Sequence, residues 1–101
     1  RGMICANEPG YYKTGAYGIR IENLVLVTEP DTPEGGERPM MGFETLTLVP
    51  IDRRLVAKDL LSKDEREWLN VYHARVREVI GAELAGEDDV LKWLHAATQP
   101  I

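Results

Sequence analysis

Apolar residues recur at two different periods along this chain, and the period changes near residue 62. Upstream the spacing is that of strands. Met3 to Ala6 is a short apolar run closed by Asn7-Glu8-Pro9-Gly10, whose Pro-Gly pair signals a turn. After the polar link Lys13-Thr14-Gly15, a strand is predicted over about Tyr17 to Val27. Its Ile19, Ile21, Val25 and Val27 suit a pleated, largely buried position. Thr28 to Pro39 holds three prolines, two adjacent glycines and four acidic residues, and reads as a hairpin-type excursion. A further strand is expected over Gly42 to Val49, where Thr45 and Thr47 alternate with Leu46 and Leu48 until Pro50. The period leaves Ile51 to Leu61 open between extended chain and a short helical turn.

Downstream the period becomes helical. Ser62-Lys63-Asp64-Glu65 has the form of a capping box, with Ser at the cap and Glu three residues on. Leu69, Tyr72, Val76, Val79 and Ile80 then make one apolar face. Gly86 suits the stop. Glu87, Asp88 and Asp89 favour the positive end of a second helix, which would bury Val90, Leu91 and Leu94 and finish before Pro100. No internal repeat is present.

Composition narrows the function classes. The 101 residues amount to one small domain. A formal charge of −5 with scattered basic residues provides no cluster to displace counterions from a phosphate backbone, which argues against nucleic acid as partner. No run approaches the roughly 20 apolar residues that span a bilayer. No charged head with an apolar stretch marks a signal peptide, and Ile101 follows no apolar tail, so no lipid anchor is expected. Cys5 is the lone cysteine, cannot form an internal disulfide, and reads as a small core residue. Together these lead to the expectation of a cytoplasmic protein. The chain opens on Arg1-Gly2-Met3 and enters a strand-like run at once, the expectation for a cut through a larger fold.

Two carboxylates carry candidate chemistry. Glu22 interrupts Ile19-Arg20-Ile21-Glu22-Asn23-Leu24-Val25, a run that reads as sheet interior, and a buried carboxylate needs a cation or a metal. Arg20 and Glu22 share a face by strand alternation, which also fits an ion pair in water. Glu8 ends a short strand just before Pro9-Gly10. It is either an ordinary loop residue or a rigidly held ligand. Two such carboxylates supply hard oxygen donors for divalent cations.

The stretches Asn7-Glu8-Pro9-Gly10-Tyr11-Tyr12, Gly18-Ile19-Arg20-Ile21-Glu22-Asn23 and Gly42-Phe43-Glu44-Thr45-Leu46-Thr47-Leu48-Val49-Pro50-Ile51 closely resemble the end of the aminopeptidase P family. These are proline-specific members of the pita-bread metallopeptidases. Trp68-Leu69-Asn70-x-Tyr72-His73 and Trp93-Leu94-x-x-Ala97-Thr98-Gln99-Pro100-Ile101 resemble the helical extension of its long members.

The resemblance implies an α+β fold, the second half of a pita-bread: a curved antiparallel sheet followed by two C-terminal helices. Residues 1–61 would then be the C-terminal portion of the metallopeptidase catalytic domain and 62–101 the helical extension. It implies two divalent metal ions, commonly manganese, with zinc or cobalt as alternatives, held by two aspartates, a histidine and two glutamates. Glu8 matches the glutamate that binds one metal and acts as catalytic base. Glu22 matches the one bridging both, and Arg20 and Tyr12 match residues that orient them. The aspartates and the ligand histidine have no counterpart here, and His73 and His95 do not match that motif. The piece alone is therefore expected to be inactive.

The implied partners are a peptide with proline at its second position, the upstream half of the same enzyme, and a second copy in a homodimer of the parent. A prolidase, cleaving only dipeptides, is the alternative within the class. Outside it stands a non-catalytic relative whose tail assembles oligomers through Trp68, Trp93 and Tyr72. An exposed sheet edge, open to self-association, is expected where the upstream half pairs.

Overall fold

The computed structural model describes all residues from Arg1 to Ile101. Five strands precede two helices: β1 (Ile4–Asn7), β2 (Gly10–Lys13), β3 (Tyr17–Arg20), β4 (Asn23–Val27), β5 (Phe43–Thr45), α1 (Lys63–Glu83) and α2 (Asp88–Ala97). Two single 3-10 turns, Arg53–Leu55 and Lys58–Leu60, fill the segment whose period was ambiguous. The chain forms two compact units, Arg1–Thr47 and Leu48–Ile101.

The first unit is built on one hairpin register. β1 pairs with β4 from Ile4↔Leu26 to Asn7↔Asn23, and β2 pairs with β3 from Gly10↔Arg20 to Lys13↔Tyr17, all antiparallel. Counting through the gap sets Glu8 opposite Glu22 and Pro9 opposite Ile21. The strand predicted over Tyr17 to Val27 is therefore split at Ile21-Glu22, and the reason lies on the facing chain. Pro9 has no N–H to give to the ladder, so only the Ile21 N–H to Pro9 carbonyl bond remains, at 3.2 Å.

Pro9-Gly10 is accordingly a link between strands and not the turn that its residue types suggest. The reversal occurs at Thr14-Gly15-Ala16, where Gly15 takes φ 72°, a conformation that favours glycine. β5 adds to β4 through Val25↔Thr45, Leu26↔Glu44 and Val27↔Phe43. It is shorter than Gly42 to Val49 because beyond Leu46, whose N–H reaches the Leu24 carbonyl, the Thr47 hydroxyl replaces the backbone as acceptor for Leu24 N–H at 2.8 Å. The excursion between β4 and β5 closes through the Asp31↔Met40 bridge.

Asn23 is the one buried residue of this unit. Ile19, Ile21 and Leu24, expected in a sheet interior, are exposed, and Glu22 with them.

The second unit holds the core. Ser62 caps α1, its hydroxyl accepting from Glu65 N–H while the Glu65 carboxylate accepts from Ser62 N–H at 2.8 Å. Leu69, Tyr72, Val76 and Leu94 are buried together, with Leu48, Ile51, Val56, Ile80, Leu84 and Ile101 packed around them. Val79 and Val90, assigned to apolar faces by spacing, stay largely exposed at the rims of their helices. Gly86, at φ 96°, reverses the chain just beyond α1 as expected.

Candidate metal centre

The shared hairpin register decides which side chains meet. Side chains alternate along a strand, so Glu8, Gly10 and Tyr12 lie on one face with Gly18, Arg20 and Glu22. Tyr11, Tyr17, Ile19 and Ile21 lie on the other, where the Tyr11 and Tyr17 rings are 6.1 Å apart. Two glutamates directly opposite one another repel. The chain answers that repulsion with a single guanidinium. Arg20 Nη1 donates to Glu8 Oε2 at 3.4 Å, and Arg20 Nε stands 3.4 Å from Glu22 Oε2. Gly10, the register partner of Arg20, adds no side chain of its own between Arg20 and Glu8.

All three charged side chains are about half exposed, with relative areas of 50% for Arg20, 49% for Glu8 and 42% for Glu22. Ion pairs this open contribute at most about 1 kcal/mol each, so stability alone does not account for the arrangement. The arrangement does place two carboxylates, hard oxygen donors of the kind that divalent cations take, against one guanidinium.

The structure thus brings Glu8, Glu22 and Arg20 together. Tyr12 lies on the same face, with its ring over Gly10 and Gly18. No group of three or more His, Cys, Asp and Glu side chains suited to a metal forms within the chain. His73 is fully buried and accepts the Ile51 N–H on Nε2 at 3.0 Å, His95 is exposed, and Cys5 is half-buried in β1. A cavity of about 380 Å³ in the second unit is lined by Pro50, Asp52, Arg54 and Trp93 and contains none of the site residues. Gly10 and Gly18, not singled out from the sequence, fall on the same face, each two residues from a charged side chain.

Residues 1–29 match metallopeptidase family M24, and residues 39–101 match the C-terminal region of peptidase M24. The chain belongs to metallopeptidase family M24. This M24 chain is 46% identical to a "Probable Xaa-Pro aminopeptidase P" of Tuber melanosporum, over 99% of its own length and 16% of that relative's. It is 43% identical to the protein of the same name from Talaromyces stipitatus, over 99% of its length and 15% of that relative's. It matches the X-prolyl aminopeptidase of Caenorhabditis elegans, described as a cytosolic enzyme with a di-nuclear active site, with a TM-score of 0.88 and 42% identity. That match covers 97% of this chain and 16% of the worm enzyme. The M24 segment thus spans 15–16% of the length of these relatives. Its small antiparallel sheets followed by two helices bear out the α+β, pita-bread expectation.

Proposed function

We propose that this chain is the C-terminal part of an Xaa-Pro aminopeptidase, a metal-dependent hydrolase that removes the first residue of a peptide when proline follows. The observation that carries the reading is the convergence of Glu8 and Glu22 on Arg20. The names of the relatives favour aminopeptidase P over prolidase. Residues 1–61 are assigned to the catalytic domain and 62–101 to a helical extension that begins at the Ser62 cap.

Glu8 and Glu22 would hold two divalent ions, manganese by the hardness of their oxygens, together with ligands from the upstream half. When bound, such a pair of ions acidifies water and polarises the scissile carbonyl. The chain's own residues then have distinct tasks. The Glu8 carboxylate accepts a proton from the attacking water as the oxygen–carbon bond forms, and delivers one to the prolyl nitrogen as the carbon–nitrogen bond breaks. Arg20 holds both carboxylates by its contacts at 3.4 Å, and Tyr12 lies beside it on the same face. A proline amide has no N–H to be read, so selection rests on pocket shape.

The full-length protein is proposed to be cytoplasmic, as the worm enzyme is described; no helix of this chain is long and apolar enough to cross a membrane. We assign the helical extension, with Trp68 51% and Trp93 60% exposed, to a contact surface of a homodimer.

The test is hydrolysis of an X-Pro-containing peptide by the full-length protein with manganese. Glu8→Gln and Glu22→Gln should each lower kcat by at least about a hundredfold, and the 101-residue chain alone should give no turnover. Full activity in either variant would end the assignment.

A further inference from the structure

Gly10 and Gly18 both lie beneath the Tyr12 ring. Neither has a positive φ; the left-handed glycines of this chain are Gly2, Gly15, Gly35 and Gly86. Their backbones are open to ordinary residues, and what a side chain would meet there is the Tyr12 ring. A Cβ built on Gly10 would stand 2.6 Å from the Tyr12 hydroxyl oxygen and 2.8 Å from Cζ. One built on Gly18 would stand 2.8 Å from Cδ1 and 3.2 Å from Cε1. The ring therefore lies along the sheet face, across both glycines, with its hydroxyl end above Gly10.

That position controls Arg20, because Gly10 is the register partner of Arg20. An arginine stem rising there can lean along the face in two directions, toward Tyr12 or toward Glu8 and Glu22. The ring occupies the first direction. Arg20 takes the second, with Nη1 on Glu8 and Nε on Glu22, both at 3.4 Å.

We propose that Gly10 and Gly18 are positioning residues for the carboxylate pair: by leaving room for the Tyr12 ring along the face, they direct Arg20 onto Glu8 and Glu22. The consequence for a bound metal rests on the function proposed above; the packing relation does not. A methyl group at either glycine pushes the ring off the face, opens the other direction to Arg20, and leaves two opposed glutamates without their common counter-charge. The site then closes less well around a cation, because the carboxylates are no longer held in the orientation that suits it.

The test uses the full-length protein carrying this segment, as Gly18→Ala, Tyr12→Ala and the double variant. Metal-free crystal structures read the ring and the arginine directly, and calorimetric titration with manganese reads the dissociation constant. In Gly18→Ala the Tyr12 ring should be displaced and Arg20 should lose at least one carboxylate. The manganese Kd should rise about tenfold or more, the range found when groups orienting metal ligands are altered. With Tyr12 already truncated, Gly18→Ala should change Kd by less than about twofold, since coupled residues are not additive. Gly10→Ala, which acts on the hydroxyl end, should give the same displacement and serves if the Gly18 variant does not fold. An unmoved Arg20 in the alanine variants, or an equal loss of affinity in both Tyr12 backgrounds, overturns the inference. A wild-type protein that binds no manganese while the variants displace the ring and Arg20 as described overturns the metal assignment instead, and leaves the positioning role standing.

Discussion

His73 carries no ligand role here, yet its protonation state is tied to the fold. The ring is completely buried, Nε2 accepts the Ile51 N–H at 3.0 Å, and Nδ1 is enclosed without a protein partner. The ring proton must therefore sit on Nδ1, and a second proton on Nε2 would confront a donor with a donor. Burial first, then the charges of Arg53 and Arg77, hold the His73 pKa below its ordinary 6.5. The unfolded chain takes up a proton near 6.5 and the folded chain only at lower pH. Between those values the unfolded state binds more protons, so stability rises with pH. The contribution is complete above about 6.5 and is lost as the pH falls from there toward the folded value. The urea midpoint of the helical signal should drop between about pH 7.5 and about pH 5.5, the window of an ordinary histidine. His73→Leu should abolish most of that drop, while costing about 1–3 kcal/mol at the upper pH because Ile51 N–H is stranded. An unchanged drop in the variant would assign the pH response to other groups.

At the scale of elements, Arg53 shows how one side chain finishes a helix from a distance. Its Nε donates to the Ala97 carbonyl at 3.1 Å, Nη2 to Ala96 and Nη1 to Pro100, at the C-terminal end of α2. Those carbonyls have no partner within the helix, and the negative end of the helix dipole favours a cation. Arg53→Ala should lower the unfolding free energy by about 1.5–3 kcal/mol, as for lost charge-assisted bonds. Arg53→Lys should recover only part of it, because an ammonium lacks the rigid fork that serves several carbonyls. A lysine variant with wild-type stability in urea titrations would contradict this.

The same residue explains what the sequence could reveal. α1 was legible because Ser62, Glu65, the apolar spacing and Gly86 are local signals for a local structure. Glu8, Arg20 and Glu22 were legible as candidates through motif resemblance and strand alternation. Residues 51–61 were not legible, since their turns are held by His73 and by carbonyls more than forty positions away. Nor was the break at Ile21-Glu22, whose cause is Pro9 on the opposite strand. The ring over Gly10 and Gly18 depends on pairing register, which residue types alone do not supply.

At the scale of the whole molecule the two units differ in what holds them. The helical unit has a buried cluster of Leu69, Tyr72, Val76 and Leu94, each such side chain contributing about 1.5–3 kcal/mol when removed from water. The strand unit buries only Asn23 and leaves Ile4, Tyr11, Tyr17, Ile19, Ile21 and Phe43 exposed, so its strands are held chiefly by ladder hydrogen bonds. Sheets of two or three strands are marginal in water without a covered apolar face. Hydrogen exchange on the 101-residue chain should therefore find the amides of Leu69 to Val79 protected and those of β1 to β4 exchanging close to open-chain rates. Raising the concentration should slow the strand amides in step with association seen by sedimentation, because β1 and β5 are free edges of their sheet. In the full-length protein the same amides should be protected at every concentration, since the proposed upstream half would cover the face and pair the edge. If the isolated strands are as protected as α1 in dilute solution, the strand unit is self-sufficient, and the need for a larger fold to set Glu8 against Glu22 disappears.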